Sequence, residues 1–458
     1  ARARRLYEEL EPRIVRKLAR AGSPDEALAE FDRFLSGLPA GVQVFSLFKA
    51  NPHLLELIVE ICAVAPRLAG HLGRNPAVLD ALLGQEFFEP LGDAAALTAD
   101  LEIWLARESD YERVLDAARR WAREQHFRAG VQVLRGLADA AEAGAAFSAI
   151  AEACLDALMP RVIDEFAARH GPPPGEGLAI VGMGKLGTRE MTAGSDLDLI
   201  VVYDPGQAEE SEGPKPLSVL AYYRRLTQAL VSALTAPTAE GRLYEVDMRL
   251  RPSGRAGPVA TSLSGFRSYQ REKAWVWEHL ALTRARVVCG PEPIRRAVED
   301  TIAEVLADRA GRPEVMEEAR GMHARLAEAH SGERKRLWSL KHAAGGLMEI
   351  EFVAQTGLVA AGLGAGHGAA EALPALAETG WLSAGEADTL GRALALMQAL
   401  QQLERAALDT PFDPETAGQG LRKAFARAGG VETFAELESR LCERQRQAAA
   451  ICAAVLAR

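Results

Sequence analysis

Cysteine is scarce in this sequence, with five residues widely separated along a chain of 458. No two of them form a Cys-x-x-Cys pair, and none has the Cys/His spacing of a zinc site. The odd number and the wide separation indicate reduced thiols rather than a disulfide framework, so we expect a cytoplasmic protein. The five are Cys62, Cys154, Cys289, Cys442 and Cys452.

Long apolar runs and an excess of basic residues are also missing. No apolar run reaches the ~18 residues that a membrane helix needs, so we expect no membrane association. Lysine and arginine total 53 against 63 for aspartate and glutamate, and the net charge of -10 argues against a general nucleic-acid binder. The sequence begins without an initiator Met, and we therefore expect a piece of a longer chain.

The composition that remains is that of an ordinary globular protein, with 48% apolar and 25% charged residues. Residues 1–170 show helical patterns. The Gly/Pro-rich segment 171–175 interrupts them, because neither helices nor strands tolerate such a run. Residues 175–290 mix strand and helix patterns, and residues 291–458 are helical again. The sequence thus predicts an α+β fold, mostly helical, in which a small mixed-sheet domain is flanked by a helical linker or regulatory domain and a C-terminal helical bundle.

The middle segment predicts three strands and one long helix. Residues 178–181 and 197–203 are short β-branched apolar runs of strand length. Residues 216–236 show a helical pattern. Residues 243–250 alternate, with Glu245, Asp247 and Arg249 on one side, as in a half-buried strand.

Two interpretations compete for the glycine-rich motif in this segment. Gly182, Gly184 and Gly187 follow a strand with the spacing of a dinucleotide fingerprint, in which Asp204 would hold a ribose. That fold needs a crossover helix between two parallel strands, and only residues 188–195 are available for it. An NAD-dependent oxidoreductase is therefore the weaker hypothesis.

In the second interpretation the carboxylates carry the chemistry. Alternation places Asp196 and Asp198 on one face of a strand, about 7 Å apart along the backbone. Two carboxylates on one face repel each other unless a cation lies between them. Asp247 could supply a third ligand, and the small residues Gly194 and Ser195 could approach phosphate oxygens. This set predicts Mg²⁺-dependent phosphoryl-group chemistry at two metal ions.

Five motifs together resemble the glutamine synthetase adenylyltransferases, within the nucleotidyltransferase superfamily. The resemblance implies a nucleotidyltransferase domain at 175–290, with ATP and Mg²⁺ as cofactors. These motifs are GMGKLG at 182–187, GSDLDL at 194–199, YEVDMRLRPSG at 244–254, WEHLALTRAR at 277–286 and GGLMEIEF at 345–352.

Members of this family are tandem enzymes with an adenylyl-removing half and an adenylyl-adding half. The motifs around Tyr244 and Trp277 favour the adding half, preceded by its helical region. The resemblance then implies transfer of AMP to a tyrosine hydroxyl of glutamine synthetase, release of pyrophosphate, and control by the PII signal protein and glutamine. Carboxylates alone do not set the direction, so phosphorolytic removal of AMP stays open, as does a regulatory binding module without catalysis.

The resemblance also implies a role for each site residue. Asp196 and Asp198 would hold both metal ions, and Asp247 would hold the ion beside the attacking tyrosine. Gly194 and Ser195 would cradle the β- and γ-phosphates. Four further residues are candidates for phosphate contacts, although the arginines could instead neutralise neighbouring acids and the lysine could be a solvated loop charge. They are Gly184, Lys185, Arg249 and Arg251.

The motif at 277–286 has two aromatic residues at or just before its start and a histidine inside it. Trp275 and Trp277 flank a predicted helical turn, where aromatic side chains belong to the core more often than they form a platform for a nucleobase. His279 is predicted to be a buried hydrogen-bonding residue rather than a catalytic base, because the carboxylates already fill that role.

Overall fold

A computed structural model of the chain describes residues 2–36, 41–74 and 78–458. The described residues form two compact units, each assembled from separate segments of the chain. The first unit comprises Ala1–Leu91, Glu124–Ala143 and Leu396–Cys442. The second comprises Gly92–Arg123, Gly144–Ala395 and Glu443–Arg458 and contains every strand of the described chain.

Helices dominate both units. No helix in the described ranges is both long and apolar enough to span a lipid bilayer. Short 3₁₀ turns cover Gln85–Phe88, Gly254–Ala256 and Glu333–Lys335. The α-helices are α1 (Arg2–Leu18), α2 (Pro24–Ser36), α3 (Gly41–Ala50), α4 (Pro52–Val64), α5 (Pro66–Arg74), α6 (Val78–Ala81), α7 (Ala94–Leu105), α8 (Tyr111–Arg135), α9 (Ala140–His170), α10 (Gly184–Gly187), α11 (Val219–Thr235), α12 (Leu263–Glu272), α13 (Val276–Leu282), α14 (Glu292–Arg309), α15 (Pro313–Ala329), α16 (Leu347–Ala361), α17 (Ala369–Glu378), α18 (Ala384–Ala407), α19 (Gln419–Ala428) and α20 (Phe434–Ala457).

A small mixed sheet lies in the second unit. Its five strands are β1 (Gly177–Gly182), β2 (Leu197–Asp204), β3 (Val246–Asp247), β4 (Ala260–Ser262) and β5 (Arg286–Cys289). The order is β3-β2-β1-β5, and β4 pairs with β2 beyond β3. β1 is antiparallel to both of its neighbours, whereas β3 and β4 run parallel to β2. The predicted α+β architecture, mostly helical with a small mixed sheet, is confirmed.

The two central strands are buried on both faces, which explains their unbroken apolar sequences. In β1, Ala179, Ile180 and Val181 are fully buried, and in β2 Val202 is equally inaccessible. Helix α14 packs against β1 and β5, and α11 packs against β3 and β4. The buried sheet therefore supports the acidic residues, which lie just before β2, in β2 and in β3.

The glycine/proline segment before the sheet is fixed by two tyrosines of α11. The hydroxyl of Tyr222 donates to the carbonyl of Gly171 (2.8 Å), and that of Tyr223 donates to the carbonyl of Pro174 (2.6 Å). The ring of Tyr223 also stacks on Tyr203 of β2, with centroids 4.2 Å apart. A segment that cannot form a helix or strand thus gains its order from side chains of the next helix.

The predicted strand over 243–250 was wrong in extent, because only Val246 and Asp247 pair with β2. The chain turns immediately afterwards: the N–H of Arg251 donates to the carbonyl of Met248, and the N–H of Gly254 donates to that of Arg251. Further along, the same edge of β2 is occupied by β4. Alternation in sequence therefore reflected a short strand followed by a loop, not a longer ladder.

Candidate active site

Three aspartates meet where β2 begins. Asp198 is the second residue of β2 and lies in register with Asp247 on the parallel strand β3. Asp196 directly precedes β2, and the N–H of Leu197 donates to the carbonyl of Glu245 at 2.9 Å, which holds the two segments side by side. One carboxylate oxygen from each aspartate lies within 4.8 Å of the others. The structure therefore brings together all three predicted metal ligands.

The three carboxylates differ in their electrostatic surroundings. Burial, followed by repulsion from Asp196 and Asp247, raises the pKa of Asp198 from 3.8 to about 6. The side-chain hydrogen bond from Arg249 lowers the pKa of Asp247 instead. Asp196 is exposed to solvent. We call these three residues the acidic triad (Asp196, Asp198 and Asp247). Repulsion within the triad raises mainly the pKa of its most buried member, Asp198.

Gly184, the first residue of α10, closes over Asp198. A Cβ atom added to it would lie 2.5 Å from Oδ2 of Asp198, and its φ of +53° lies in the region that glycine adopts most easily. The N–H of Met183 also donates to the carbonyl of Asp198 at 2.8 Å. A glycine is needed here so that the backbone can approach the carboxylate.

Arg249 pairs with Asp247 in this structure. Its backbone N–H donates to Oδ1 at 2.8 Å and its Nε donates to Oδ2 at 2.6 Å. The side chain is nevertheless 65% exposed, so it projects into solvent next to the triad. The other acid on this segment, Glu245, is paired with Arg242. In this structure Arg249 therefore neutralises Asp247.

Gly194 and Ser195 form a tight turn before β2. Gly194 has a φ of +73°. The N–H of Ser195 donates to the carbonyl of Thr192 at 3.0 Å, and its Oγ accepts from the N–H of Thr192 at 2.9 Å. The N–H and the hydroxyl of Ser195 therefore both belong to the turn that precedes Asp196.

The two remaining candidates for phosphate contacts, Arg251 and Lys185, make contacts with their own segments of the chain. The guanidinium of Arg251 donates to the carbonyls of Met248, Arg255 and Gly257, so it organises the loop that follows Asp247. Lys185 is half-buried on α10, and its backbone carbonyl accepts from the N–H of Glu190. The structure thus gives Arg251 a place inside the loop rather than beside the triad.

Sequence reasoning missed Arg284, whose charge acts on the triad. Its positive charge opposes the increase in the pKa of Asp198. The side chain is only 13% exposed; Nη1 donates to Glu351 at 3.0 Å, and Nη2 lies 3.7 Å from Glu190. Arg284 belongs to the motif at 277–286 and lies just before the buried strand β5, which is the feature of the sequence that could have pointed to it. Its contacts with Glu190 and Glu351, which are distant in the sequence, become visible only in the folded chain.

A second group of possible metal ligands comprises His330, Glu333 and His342. The two imidazole rings stack with centroids 3.9 Å apart and planes 13° apart. Because the nitrogen lone pairs lie in the ring planes, stacked rings do not direct both lone pairs at one ion. The acidic triad is therefore the candidate metal centre of the described chain.

The topology excludes the dinucleotide hypothesis. β1 and β2 are antiparallel, and α10 between them has only four residues. A dinucleotide fold needs parallel strands joined by a crossover helix. The glycines of the motif instead allow close approaches of the backbone, as at Gly184.

The motif at 277–286 gave one correct and one wrong prediction. His279 is fully buried, and its Nε2 lies 2.9 Å from the carbonyl of Gln270, which confirms a buried hydrogen-bonding residue. Trp275 and Trp277 are 64% and 40% exposed. The prediction that they belong to the core was wrong, because α13 turns its other face, with Val276 and Leu280, towards the protein.

Comparison with known proteins gives two family matches along the chain. The family described as glutamate-ammonia ligase adenylyltransferase matches residues 55–301. The family described as GlnD PII-uridylyltransferase matches residues 318–447.

Individual relatives match almost the whole chain. Bifunctional glutamine synthetase adenylyltransferase/adenylyl-removing enzymes are 44% identical over 447 residues in Mesorhizobium japonicum, 43% over 444 in Rhizobium meliloti and 42% over 443 in Agrobacterium fabrum. These alignments cover 97%, 95% and 95% of this chain, but 45%, 45% and 44% of the relatives. The chain therefore spans about half the length of the curated relatives it matches.

Proposed function

The chain belongs to the glutamate-ammonia ligase adenylyltransferase family, and on that premise we propose that it transfers AMP from ATP to a tyrosine hydroxyl of glutamine synthetase, releasing pyrophosphate. The observation that supports this most directly is the meeting of Asp196, Asp198 and Asp247 at the start of one strand. The names of its relatives support glutamine synthetase as the protein substrate.

The donor set fits Mg²⁺. Three carboxylates offer hard oxygen ligands, and a divalent cation would relieve the repulsion that raises the pKa of Asp198. We assign Asp196 and Asp198 to both ions of a two-metal site, and Asp247 to the ion on the side of the attacking hydroxyl. When bound, Mg²⁺ would lower the cost of ionising the tyrosine and neutralise charge on the leaving pyrophosphate.

The protein's own residues hold and orient the reactants. Asp247 is half-buried beside the exposed Asp196, and we assign it to accept the proton of the tyrosine hydroxyl, whose ordinary pKa is about 10. Arg249 is exposed and next to Asp247, so it can exchange this partner for a phosphate oxygen of ATP. Gly194 and Ser195 shape the turn on which the β- and γ-phosphates would lie, and Lys185 on α10 can approach them. Arg251 keeps the loop after Asp247 in place.

Control of this activity is part of the proposal. The family resemblance implies regulation by the PII signal protein and by glutamine, in response to nitrogen supply. The helical segment 1–170 is the natural candidate for part of that surface, because residues 175–290 contain the acidic triad. A catalytic role is favoured over a purely regulatory binding module, since a binding module has no need of three mutually repelling carboxylates.

Transfer of label from α-labelled ATP to unmodified glutamine synthetase tests the proposal. The wild-type chain with Mg²⁺ should label the substrate, and an Asp196→Asn/Asp198→Asn double variant should lose both labelling and Mg²⁺-dependent ATP binding. Gly184→Ala should also reduce labelling strongly, because its Cβ would displace the Asp198 carboxylate.

Gly385→Ala is the matched control, since an added Cβ there meets nothing within 4 Å. Its labelling should equal that of the wild type. Undiminished Mg²⁺-dependent ATP binding by the double variant would contradict the assignment of the triad. Binding of glutamine synthetase without turnover of any nucleotide would instead favour the regulatory module.

A further inference from the structure

Trp275 is the most exposed large apolar side chain in the described part of the chain. It is 64% accessible, and Trp277, two residues later, is 40% accessible. Exposed apolar side chains are common singly, but an exposed indole beside a cleft, with a second exposed indole two residues along the chain, is typical of interaction sites. Tryptophan is also the residue type most enriched among those that dominate binding energy.

Trp275 lies at one wall of a groove with a volume of about 400 Å³. The apolar part of this groove, the Trp275 groove, is formed by Ala274, Trp275, Val276 and Val315. Its volume falls within the range of sites that accommodate a few side chains of a ligand. The groove is thus large enough to take an apolar side chain and its neighbours in a polypeptide segment.

Charges of both signs surround the apolar floor. Lys273, Arg309 and Arg312 line the groove together with Glu314 and Glu318. Arg309 donates to the carbonyl of Arg271, Arg312 pairs with Asp308 at 2.8 Å on the exposed surface, and Lys273 forms no ion pair among the described residues. In a chain with a net charge of -10, these cations form a local site for acidic groups.

The groove is connected to the sheet that carries the acidic triad. Helix α12, which contains Tyr269, packs against β2, the strand of Asp198. The hydroxyl of Tyr269 donates to Glu278 at 2.9 Å, and the other oxygen of Glu278 accepts from the backbone N–H of Trp275 at 2.9 Å. Glu278 is buried, so these hydrogen bonds tie the position of Trp275 to the helix that packs against β2.

A protein substrate must present its tyrosine at the triad while its surrounding surface contacts the enzyme nearby. From this geometry we propose that the Trp275 groove docks a segment of the protein substrate in which an apolar side chain adjoins acidic residues. The apolar side chain packs against Trp275, and the acidic residues face Lys273, Arg309 and Arg312. Glu314 and Glu318 repel the reverse orientation. The choice of glutamine synthetase as that substrate rests on the function proposed above.

Equilibrium binding of the full chain to unmodified glutamine synthetase tests this surface without requiring turnover. Trp275→Ala should weaken binding at least tenfold, and Trp275→Phe should retain most of the affinity. In the AMP-transfer assay, Trp275→Ala should raise the KM for glutamine synthetase and leave the KM for ATP unchanged. Lys273→Glu combined with Arg312→Glu should slow association, most strongly at low salt.

Leu220→Ala serves as the control, because Leu220 is 61% exposed on α11 and does not line the groove. It should bind like the wild type. Binding of Trp275→Ala within twofold of wild type would overturn the docking proposal, as would an absence of binding by the wild type. Tryptophan-dependent binding without AMP transfer would support docking and contradict the proposed function, whereas AMP transfer insensitive to Trp275 would do the opposite.

Discussion

At the scale of single residues, the site is defined by Asp198, a carboxylate whose charged form lowers the stability of the folded protein. The pKa of Asp198 lies at about 6 because of burial and the two neighbouring aspartates, above its ordinary 3.8. The folded state therefore binds the proton more tightly than the unfolded state does. Stability of the metal-free protein falls as pH rises from about 4 to about 6, and the cost is complete above that range.

Asp198→Asn should remove this cost. At pH 8 and without divalent cations, we expect the variant to be more stable than the wild type by about 1–3 kcal/mol, since each unit of pKa shift corresponds to about 1.4 kcal/mol. At pH 4 the gain should disappear because the wild-type carboxyl is protonated. Urea unfolding at both pH values measures the difference, and AMP transfer should be lost.

Asp300→Asn is the matched control for this experiment. Asp300 is an exposed residue of α14, so its substitution should leave stability almost unchanged at both pH values. An equal gain for Asp198→Asn at pH 4 and pH 8 would contradict the assigned pKa. Such a result would mean that shape, not charge, limits stability at this position.

The identity of the carboxylates could be predicted from sequence, but the roles of their neighbours could not. Asp196, Asp198 and Asp247 follow from spacing and a motif, and the strand register brings them together. The contacts of Arg251 and Arg284 could not be predicted. Arg251 binds carbonyls of its own loop, and Arg284 acts on Asp198 from a segment that is distant in the sequence. An arginine has a long side chain, and its partner depends on contacts that sequence spacing does not encode.

At the scale of elements, a buried glutamate fixes the start of α16. Glu349 is 4% exposed; it accepts from His323 at 2.6 Å, from Arg334 at 3.0 Å and from the backbone N–H of Gly345. Burial alone would raise its pKa, but these hydrogen bonds and the charge of Arg334 outweigh it and lower the pKa. The stabilisation is therefore present above the ordinary pKa of 4.5 and is lost as pH falls below it.

Glu349→Gln should destabilise the protein by about 2–4 kcal/mol at pH 7, because it leaves Arg334 without its buried partner. The difference from wild type should shrink as pH falls below about 4.5, since the wild-type carboxyl then loses its charge as well. Thermal unfolding across this pH range measures the effect. Glu378→Gln, at an exposed residue of α17, should change the melting temperature little; a comparable loss there would contradict the argument.

Elements that are buried on both sides were predicted well, and elements at edges were not. The apolar runs of β1 and β2 and the helical pattern of α11 gave bounds close to those observed. The segment 243–250 and the two tryptophans were misjudged because each lies where one side meets solvent or a competing strand. Alternating sequences and aromatic residues occur both in buried elements and at edges. Only the tertiary contacts show which of the two a segment is.

At the scale of the whole molecule, two compact units are each built from segments far apart in sequence. The domain boundaries predicted near residues 170 and 290 follow changes in sequence pattern, whereas four of the boundaries between the compact units fall within helices, in α8, α9, α18 and α20. Helical sequence on both sides of such a boundary gives no compositional signal. The boundary can therefore be found only from contacts.

The direction of catalysis is also a property of the whole reaction rather than of any one carboxylate. By microscopic reversibility, a site that forms a tyrosyl–AMP bond with release of pyrophosphate must also use pyrophosphate to break that bond and regenerate ATP. We therefore expect this chain, given adenylylated glutamine synthetase and Mg²⁺, to produce ATP when pyrophosphate is added. Inorganic phosphate should not replace it, because the product would then be ADP. Chromatography of the labelled nucleotide distinguishes the two products. Formation of ADP with phosphate, and none of ATP with pyrophosphate, would assign the site to the removing reaction, with the same three aspartates at its centre.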